Sequence, residues 1–222
     1  MSTCSAEVPR GNTKRLIYLI RHGEGASALN GVVGGHLGCQ GLTPRGKSQA
    51  SQLGAKMRQH LGDLSEYRIY TSNIARAIET AEIATGVPGE SFVRDCGLCE
   101  THPGENDGCS WGDLGRYQGI GFEVPIGPGG ESIAGMYERV DRFLGELAFL
   151  HSADGKPGKG ILAFTHAGVI GSAYALARGL SVSTIFEVPI ELCSVHRLEV
   201  EGDPLRASGD LRTQSATIDR AW

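Results

Sequence analysis

Leu16-Ile17-Tyr18-Leu19-Ile20-Arg21-His22-Gly23-Glu24 runs five apolar residues straight into an arginine, a histidine and a glycine. An unbroken apolar run of this length, with no alternation, is the pattern of a strand buried on both faces of a parallel sheet. Its carboxyl end opens into a polar loop, and in open α/β sheets ligands bind outside the carboxyl ends of the strands. The pattern returns at Gly160-Ile161-Leu162-Ala163-Phe164, which leads into Thr165-His166-Ala167-Gly168. Strands that break abruptly into Arg-His and Thr-His would waste burial unless both polar ends faced one site at the sheet edge.

Helical signals fill the space between these strands. After a glycine-rich loop from Gly31 to Gly41, Thr43-Pro44 reads as an N-cap followed by proline at the first helical position, with Ala50, Leu53 and Met57 as the apolar stripe. Tyr67 to Thr71 is a short β-rich segment. Ser72 is placed to cap a second helix carrying Ile74, Ile78, Ala81 and Ala84, which Gly86-Val87-Pro88 ends. Residues 96–130 are glycine-rich and irregular, with a short helix at 110–117, and a loop of this length in a compact domain is commonly functional. A long helix follows from Glu131 to His151, then a turn at 152–159, the second buried strand, a helix from Ala167 to about Ala177, and one or two closing strands within 185–200. Strand–helix alternation of this kind predicts an α/β fold: a three-layer α/β/α sandwich with a mainly parallel central sheet.

The 222 residues suit one domain, expected over 15–222 behind a mobile polar tail at 1–14. Hydrophobic residues at 40% and charged residues at 21% exclude a disordered or fibrous chain. The net charge of −4, with scattered lysines and arginines, argues against nucleic acid as a partner. The start lacks an apolar signal core and no stretch is long enough to span a membrane, so a soluble, cytoplasmic protein without a membrane partner is expected. In that compartment the six cysteines read as free thiols. Cys96-x-x-Cys99, His102 and Cys109 are zinc-type ligands, but a second close-spaced couple is missing, so no metal site is expected. His36, His60, His151 and His196 show no partner pattern. Glycine is the outlier: 33 residues, against roughly 16 at an average usage of about 7%, promise the turns and close backbone approaches that anion-holding loops need.

Arg76 falls in the first turn of the helix after the 67–71 strand, so a third strand end delivers a cation to the same edge. Two imidazoles, the guanidiniums of Arg21 and Arg76, and the helix N-terminal amides near Ala167 suit a phosphate. Arginine is the better cation for it, since its planar fork holds two oxygens and stays charged.

Six blocks, in order, carry a resemblance. Arg21-His22-Gly23-Glu24 after a hydrophobic strand resembles the signature of the histidine phosphatase superfamily, which includes the phosphoglycerate mutases. Gly41-Leu42-Thr43-Pro44-Arg45-Gly46, Ser72-Asn73-Ile74-Ala75-Arg76-Ala77-Ile78-Glu79-Thr80-Ala81, Leu98-Cys99-Glu100 with Gly104 and Gly108, Gly129-Gly130-Glu131-Ser132 and His166-Ala167-Gly168 resemble its further blocks. The resemblance covers roughly residues 15–200 and implies a phosphoglycerate mutase-like fold. It implies His22 as the nucleophile that carries the phosphoryl group, Arg21, Arg76, His166 and Ala167 as phosphate ligands, and Glu100 as the general acid and base, with no metal and no cofactor. Glu105, five residues on in the same loop, competes for the acid role. Glu24 is expected to be structural.

The chain departs from the family pattern in two places. Many members have an asparagine six residues after the nucleophile, where this chain has Ala28. Ser27 or Asn30 could replace that donor, and Gly34 lies in the same candidate substrate-binding loop. Residues 105–130 offer only Arg116 in place of the mutases' paired arginines, which favours hydrolysis over mutase chemistry. The acidic and apolar character of that loop (Glu105, Asp107, Trp111, Tyr117, Phe122) points to a small phosphorylated metabolite without a second strong anion: a sugar, polyol or nucleoside monophosphate. The competing readings are a phosphoglycerate mutase-like phosphotransferase and a non-catalytic phosphate-binding protein. The assembly stays open, a homodimer among the options.

Overall fold

A computed structural model describes residues 13–117, 121–153, 159–202 and 210–222. At its centre is a six-stranded sheet of β1 (Thr13–Arg21), β2 (Tyr67–Thr71), β3 (Val93–Arg94), β4 (Gly160–Thr165), β5 (Val195–Gly202) and β6 (Ser215–Arg220), in the spatial order β3-β2-β4-β1-β5-β6. The first four strands are mutually parallel; β5 runs antiparallel to β1, and β6 antiparallel to β5. The α-helices are α1 (Ala26–Leu29), α2 (Pro44–Leu61), α3 (Ala75–Thr85), α4 (Ile133–Ala153) and α5 (Ala167–Ala177).

Successive side chains of a strand point to opposite faces, and both faces are covered here, which is why β1 can be apolar at every position from Leu16 to Ile20. Ile17 and Leu19 join Val140, Leu144 and Leu147 of α4 and Val169, Ile170 and Ala173 of α5 in one core. Tyr18 and Ile20 join Leu53 and Met57 of α2 and Ala81 and Ala84 of α3 in the other. Helices therefore cover both faces, and the fold is the expected three-layer α/β/α sandwich with a mainly parallel sheet.

The register of the central strands positions the site. Arg21 of β1 pairs with Thr165 of β4, and Thr71 of β2 pairs with Phe164. His22, His166 and Ser72 are each the residue that follows a strand's last, so they emerge side by side at one carboxyl edge.

The helix starts are built as the residues dictate, with one exception. Thr43 caps α2, its Oγ1 accepting from Gly46 N at 2.9 Å with Pro44 at the first position. Gly86 ends α3 in the left-handed conformation that glycine tolerates, at φ 75°. Ser72 is not the N-cap of α3: that position is Ile74, whose N–H donates to Ser72 Oγ at 3.1 Å, and the same hydroxyl also meets His166.

Four further expectations need correction. Residues 185–194 form no strand; β5 begins at Val195 and the second closing strand is β6, later in the chain. The edge strand β3 was not anticipated, because two exposed residues carry no pattern. Thr13 and Lys14, expected in the tail, start β1, while residues 1–12 lie outside the described residues, as do 154–158 of the expected turn. Finally, the cysteines are not all free: Cys96 and Cys99 form a disulfide, whereas Cys39, Cys109 and Cys193 are free thiols. Among the described residues no helix is long and apolar enough to cross a membrane.

Candidate active site

Where β1 ends, His22 is buried, 8% exposed, and held from both sides. Its backbone N–H donates to Thr165 O at 3.1 Å, crossing to β4. Its Nδ1 lies 2.6 Å from Gly23 O, an acceptor only, so Nδ1 carries the proton and donates. Nε2 is then unprotonated, and it accepts from Arg76 Nε at 2.9 Å. Burial, then the Arg76 guanidinium beside it and Arg21 nearby, hold the His22 pKa well below the usual imidazole value, against the opposing bond to Gly23. The ring is neutral with its lone pair on Nε2, the form a nucleophile needs.

Arg76, in the first turn of α3, ties the site together. Besides His22, its NH1 donates to Gly34 O at 2.5 Å and its NH2 donates to His166 Nδ1 at 3.0 Å. His166 is fully buried, with its ring centroid 5.0 Å from that of His22. Since its Nδ1 accepts, its Nε2 carries the proton and donates to Ser72 Oγ at 2.8 Å. Burial first, then Arg76, His22, Arg21 and Arg139, keep His166 neutral well below the usual imidazole range. Arg21 donates through NH1 to Ile190 O, and its Nε is buried without a hydrogen-bond partner among the described residues.

Glu100 enters from the segment after β3. Its Oε2 accepts from Gly168 N at 3.1 Å, at the positive end of α5, and its Oε1 accepts from Thr101 N at 3.3 Å. A Cβ on Gly168 would stand 2.2 Å from Glu100 Oε1, so only glycine there leaves the carboxylate its seat.

These groups open onto a cavity of about 330 Å³ lined by Arg21, His22, Arg76 and Glu100 and by the apolar Val32, Val33, Pro103, Trp111, Ile126 and Phe186. Ser27, Ala28 and Gly34 also line it. The expected residues fall into two sets. His22, Arg21, Arg76, Glu100, Ser27 and Gly34 meet at the cavity, and His166 stands behind Arg76, but Ala167 is the first residue of α5 and is not among the lining residues. Asn30 turns away, its amide donating to Gln40 Oε1 at 2.7 Å, and Glu105 is exposed and off the cavity. Ser27 Oγ accepts from Gln40 N at 2.9 Å. Glu24 is structural as expected, accepting from Thr43 Oγ1 at 2.7 Å. Ser72 and Phe186 were missed: a hydroxyl beside a helix start reads as a cap, and Phe186 lies in a segment expected to be strand.

Two neutral imidazoles bridged by a guanidinium at the carboxyl edge of a three-layer α/β sandwich define an anion-handling α/β protein. The chain belongs to the histidine phosphatase superfamily (branch 1), whose family model matches residues 17–208. It is 28% identical over 171 residues to phosphoglycerate mutase-like protein 4 of Arabidopsis thaliana, covering 73% of this chain and 70% of that one. It is 41% identical over 92 residues to a 6-phosphofructo-2-kinase/fructose-2,6-bisphosphatase of Gallus gallus, covering 40% of this chain and only 18% of that longer protein. Among solved structures it resembles the native mycobacterial glucosyl-3-phosphoglycerate phosphatase, with a TM-score of 0.68, 21% identity and coverage of 94% and 98% of the two chains. A mutant phosphoserine phosphatase from Entamoeba histolytica in complex with phosphoserine gives a TM-score of 0.63 at 20% identity, covering 83% and 90%. At these identities the structural likeness speaks for the fold.

Proposed function

We propose that the protein is a phosphomonoesterase that hydrolyses a small phosphorylated metabolite through a phosphohistidine on His22, the transfer step itself using no metal. The observation that carries this reading is the state of His22: neutral, protonated on Nδ1 by the demand of Gly23 O, with its Nε2 lone pair facing a guanidinium. Arg76 must release Nε2 for attack, and its fork then turns to the phosphoryl oxygens, joined by Arg21, whose unpartnered Nε offers a further buried donor. Nε2 forms the bond to phosphorus as the ester oxygen leaves, and Glu100 gives that oxygen its proton. Glu100 then takes a proton from water, whose oxygen attacks phosphorus, breaks the P–N bond and frees His22 and inorganic phosphate.

The cavity favours hydrolysis of an ester with a single anionic group over mutase chemistry. Among the described residues its only lining cations are Arg21 and Arg76, both committed to one phosphoryl group. The apolar part of the lining, with Trp111 and Phe186, suits an uncharged body such as a nucleoside, sugar or polyol.

The test is phosphate release from a panel of sugar, polyol, nucleoside and glycerate monophosphates by wild type and His22→Ala, with rapid quench and mass mapping of an acid-labile phosphoryl group. Wild-type hydrolysis with the label on His22, lost at least about 10³-fold in the variant, is expected. Hydrolysis that persists in His22→Ala would sink the mechanism. A bisphosphoglycerate requirement would establish the mutase reading instead.

A further inference from the structure

The Ser72 hydroxyl that accepts from His166 also donates to Cys99 Sγ at 3.5 Å, and Cys99 belongs to a cluster that the phosphate chemistry does not use. One ligand atom from each of His36, Cys96, Cys99 and His102 lies within 4.8 Å of all the others. Cys96 Sγ is 3.3 Å from His36 Nε2 and 3.1 Å from His102 Nε2. Of the zinc-type ligands in the sequence, Cys96, Cys99 and His102 converge and Cys109 does not; the fourth member is His36, some 60 residues earlier in the chain, delivered by the glycine-rich loop. From these four converging donors we propose a closed Zn²⁺ site of the Cys2His2 type, formed once the Cys96–Cys99 disulfide is reduced.

The donor set is the one zinc prefers: two thiolates and two imidazoles. Zn–S and Zn–N bonds of about 2.3 and 2.0–2.1 Å in a tetrahedron put ligand atoms roughly 3.3–3.8 Å apart, close to the sulfur–nitrogen separations present here. A disulfide alone gives no reason for two imidazole nitrogens to converge on one sulfur. The surroundings also hold the ligands as metal sites require. Arg139 NH1 donates to the carbonyls of Cys96, Gly97 and Cys99 at 2.7, 3.2 and 3.1 Å, and Arg139 is paired with Glu131, whose carboxylate accepts from His102 N at 3.3 Å. The Asp107 carboxylate accepts from the amides of Gly35, Leu37 and Gly38 at 2.8, 2.8 and 2.9 Å, fixing the loop around His36.

Formation balances as follows. A dithiol reductant transfers two electrons and two protons to the disulfide and is itself oxidised to its own disulfide. Zn²⁺ then displaces the two thiol protons and binds the lone pairs of the two neutral imidazoles. With four protein ligands the site has no open position, so its role is structural. It cross-links the loop whose Gly34 carbonyl holds Arg76 to the segment that carries Glu100.

The full chain, purified in dithiothreitol, is analysed for metal by mass spectrometry and titrated with ZnCl2 and CoCl2. One zinc per chain is expected, together with thiolate-to-cobalt charge-transfer bands and the d–d absorption of tetrahedral Co²⁺. His36→Ala, at an exposed position, is expected to weaken zinc binding at least about tenfold, and Cys96→Ser to remove charge-transfer intensity, while Cys109→Ser keeps full stoichiometry. Circular dichroism checks that each variant is folded. Absence of stoichiometric zinc in the reduced protein, or equal uptake by wild type, His36→Ala and Cys96→Ser, overturns the proposal. These readouts do not depend on phosphatase activity, so the site and the proposed reaction fail or stand separately.

Discussion

Arg76 shows what one side chain contributes to the site. Its three nitrogens meet His22, Gly34 and His166 in a single plane-constrained fork, and lysine, a point charge on a flexible stem, cannot reproduce that geometry. Arg76→Lys is therefore expected to lower kcat about 10²- to 10³-fold, the scale of losing one preorganised donor to a developing charge, with secondary structure unchanged. Steady-state kinetics on whichever ester the panel identifies decides it, and a loss under threefold would mean that the guanidinium only pads the pocket. His22, Arg21, Arg76, His166 and Glu100 were legible because residues of these types interrupt apolar strands or sit within ordered blocks. Ser72 and His36 were not. The hydroxyl of Ser72 has a local use that masks its distant one, and the partners of His36 lie 60 and more residues away, where no spacing rule reaches.

Glycines decide how closely the elements approach one another. In α2, a Cβ on Gly54 would stand 2.3 Å from Ala84 O of α3, a backbone atom that cannot turn aside. Alanine is the better helix former by about 1 kcal/mol, yet Gly54→Ala is expected to destabilise by about 1–3 kcal/mol through forced separation of the two helices. Thermal unfolding tests the sign directly: a raised Tm would show that propensity outweighs the crossing. Gly168→Ala acts at the start of α5, where the new methyl would displace the Glu100 carboxylate rather than a helix. A fall in kcat about 10²-fold or more, with folding intact, is expected; the idea is wrong if KM alone changes. At this scale the long periodic helices and the two buried strands were readable from apolar pattern. The edge strands were not: β3 has two exposed residues, and of the six in β6 only Ile218 is buried.

Across the whole molecule, buried neutral histidines tie stability to pH. His22 and His166 titrate well below their ordinary value, and burial together with Arg220 lowers His196, which bonds Tyr174 and Ser194, to about 4. Unfolded, each would take up a proton near pH 6.5. Between about pH 4 and 6.5 the unfolded chain thus binds more protons than the folded one, so stability is complete above that window and is lost as pH falls through it. Each such histidine contributes up to about 1.4 kcal/mol per pH unit. Denaturant midpoints measured from pH 7 to pH 4.5 should fall steadily for wild type and less steeply for His196→Gln; identical slopes would remove His196 from the account.

The placement of β4 between β1 and β2 has a consequence for biosynthesis. A ribosome releases β1 and β2 with a vacant lane between them that only residues 160–165 can fill. At about 5–20 residues per second, translating the stretch from 72 to 159 takes roughly 4–18 s. Through that interval the nascent chain displays β1 and β2 with their facing edges unpaired, the state most open to mispairing with neighbouring chains and to capture by chaperones. The two imidazoles of the site are then brought together in one late step, when the threading of β4 places His166 beside His22.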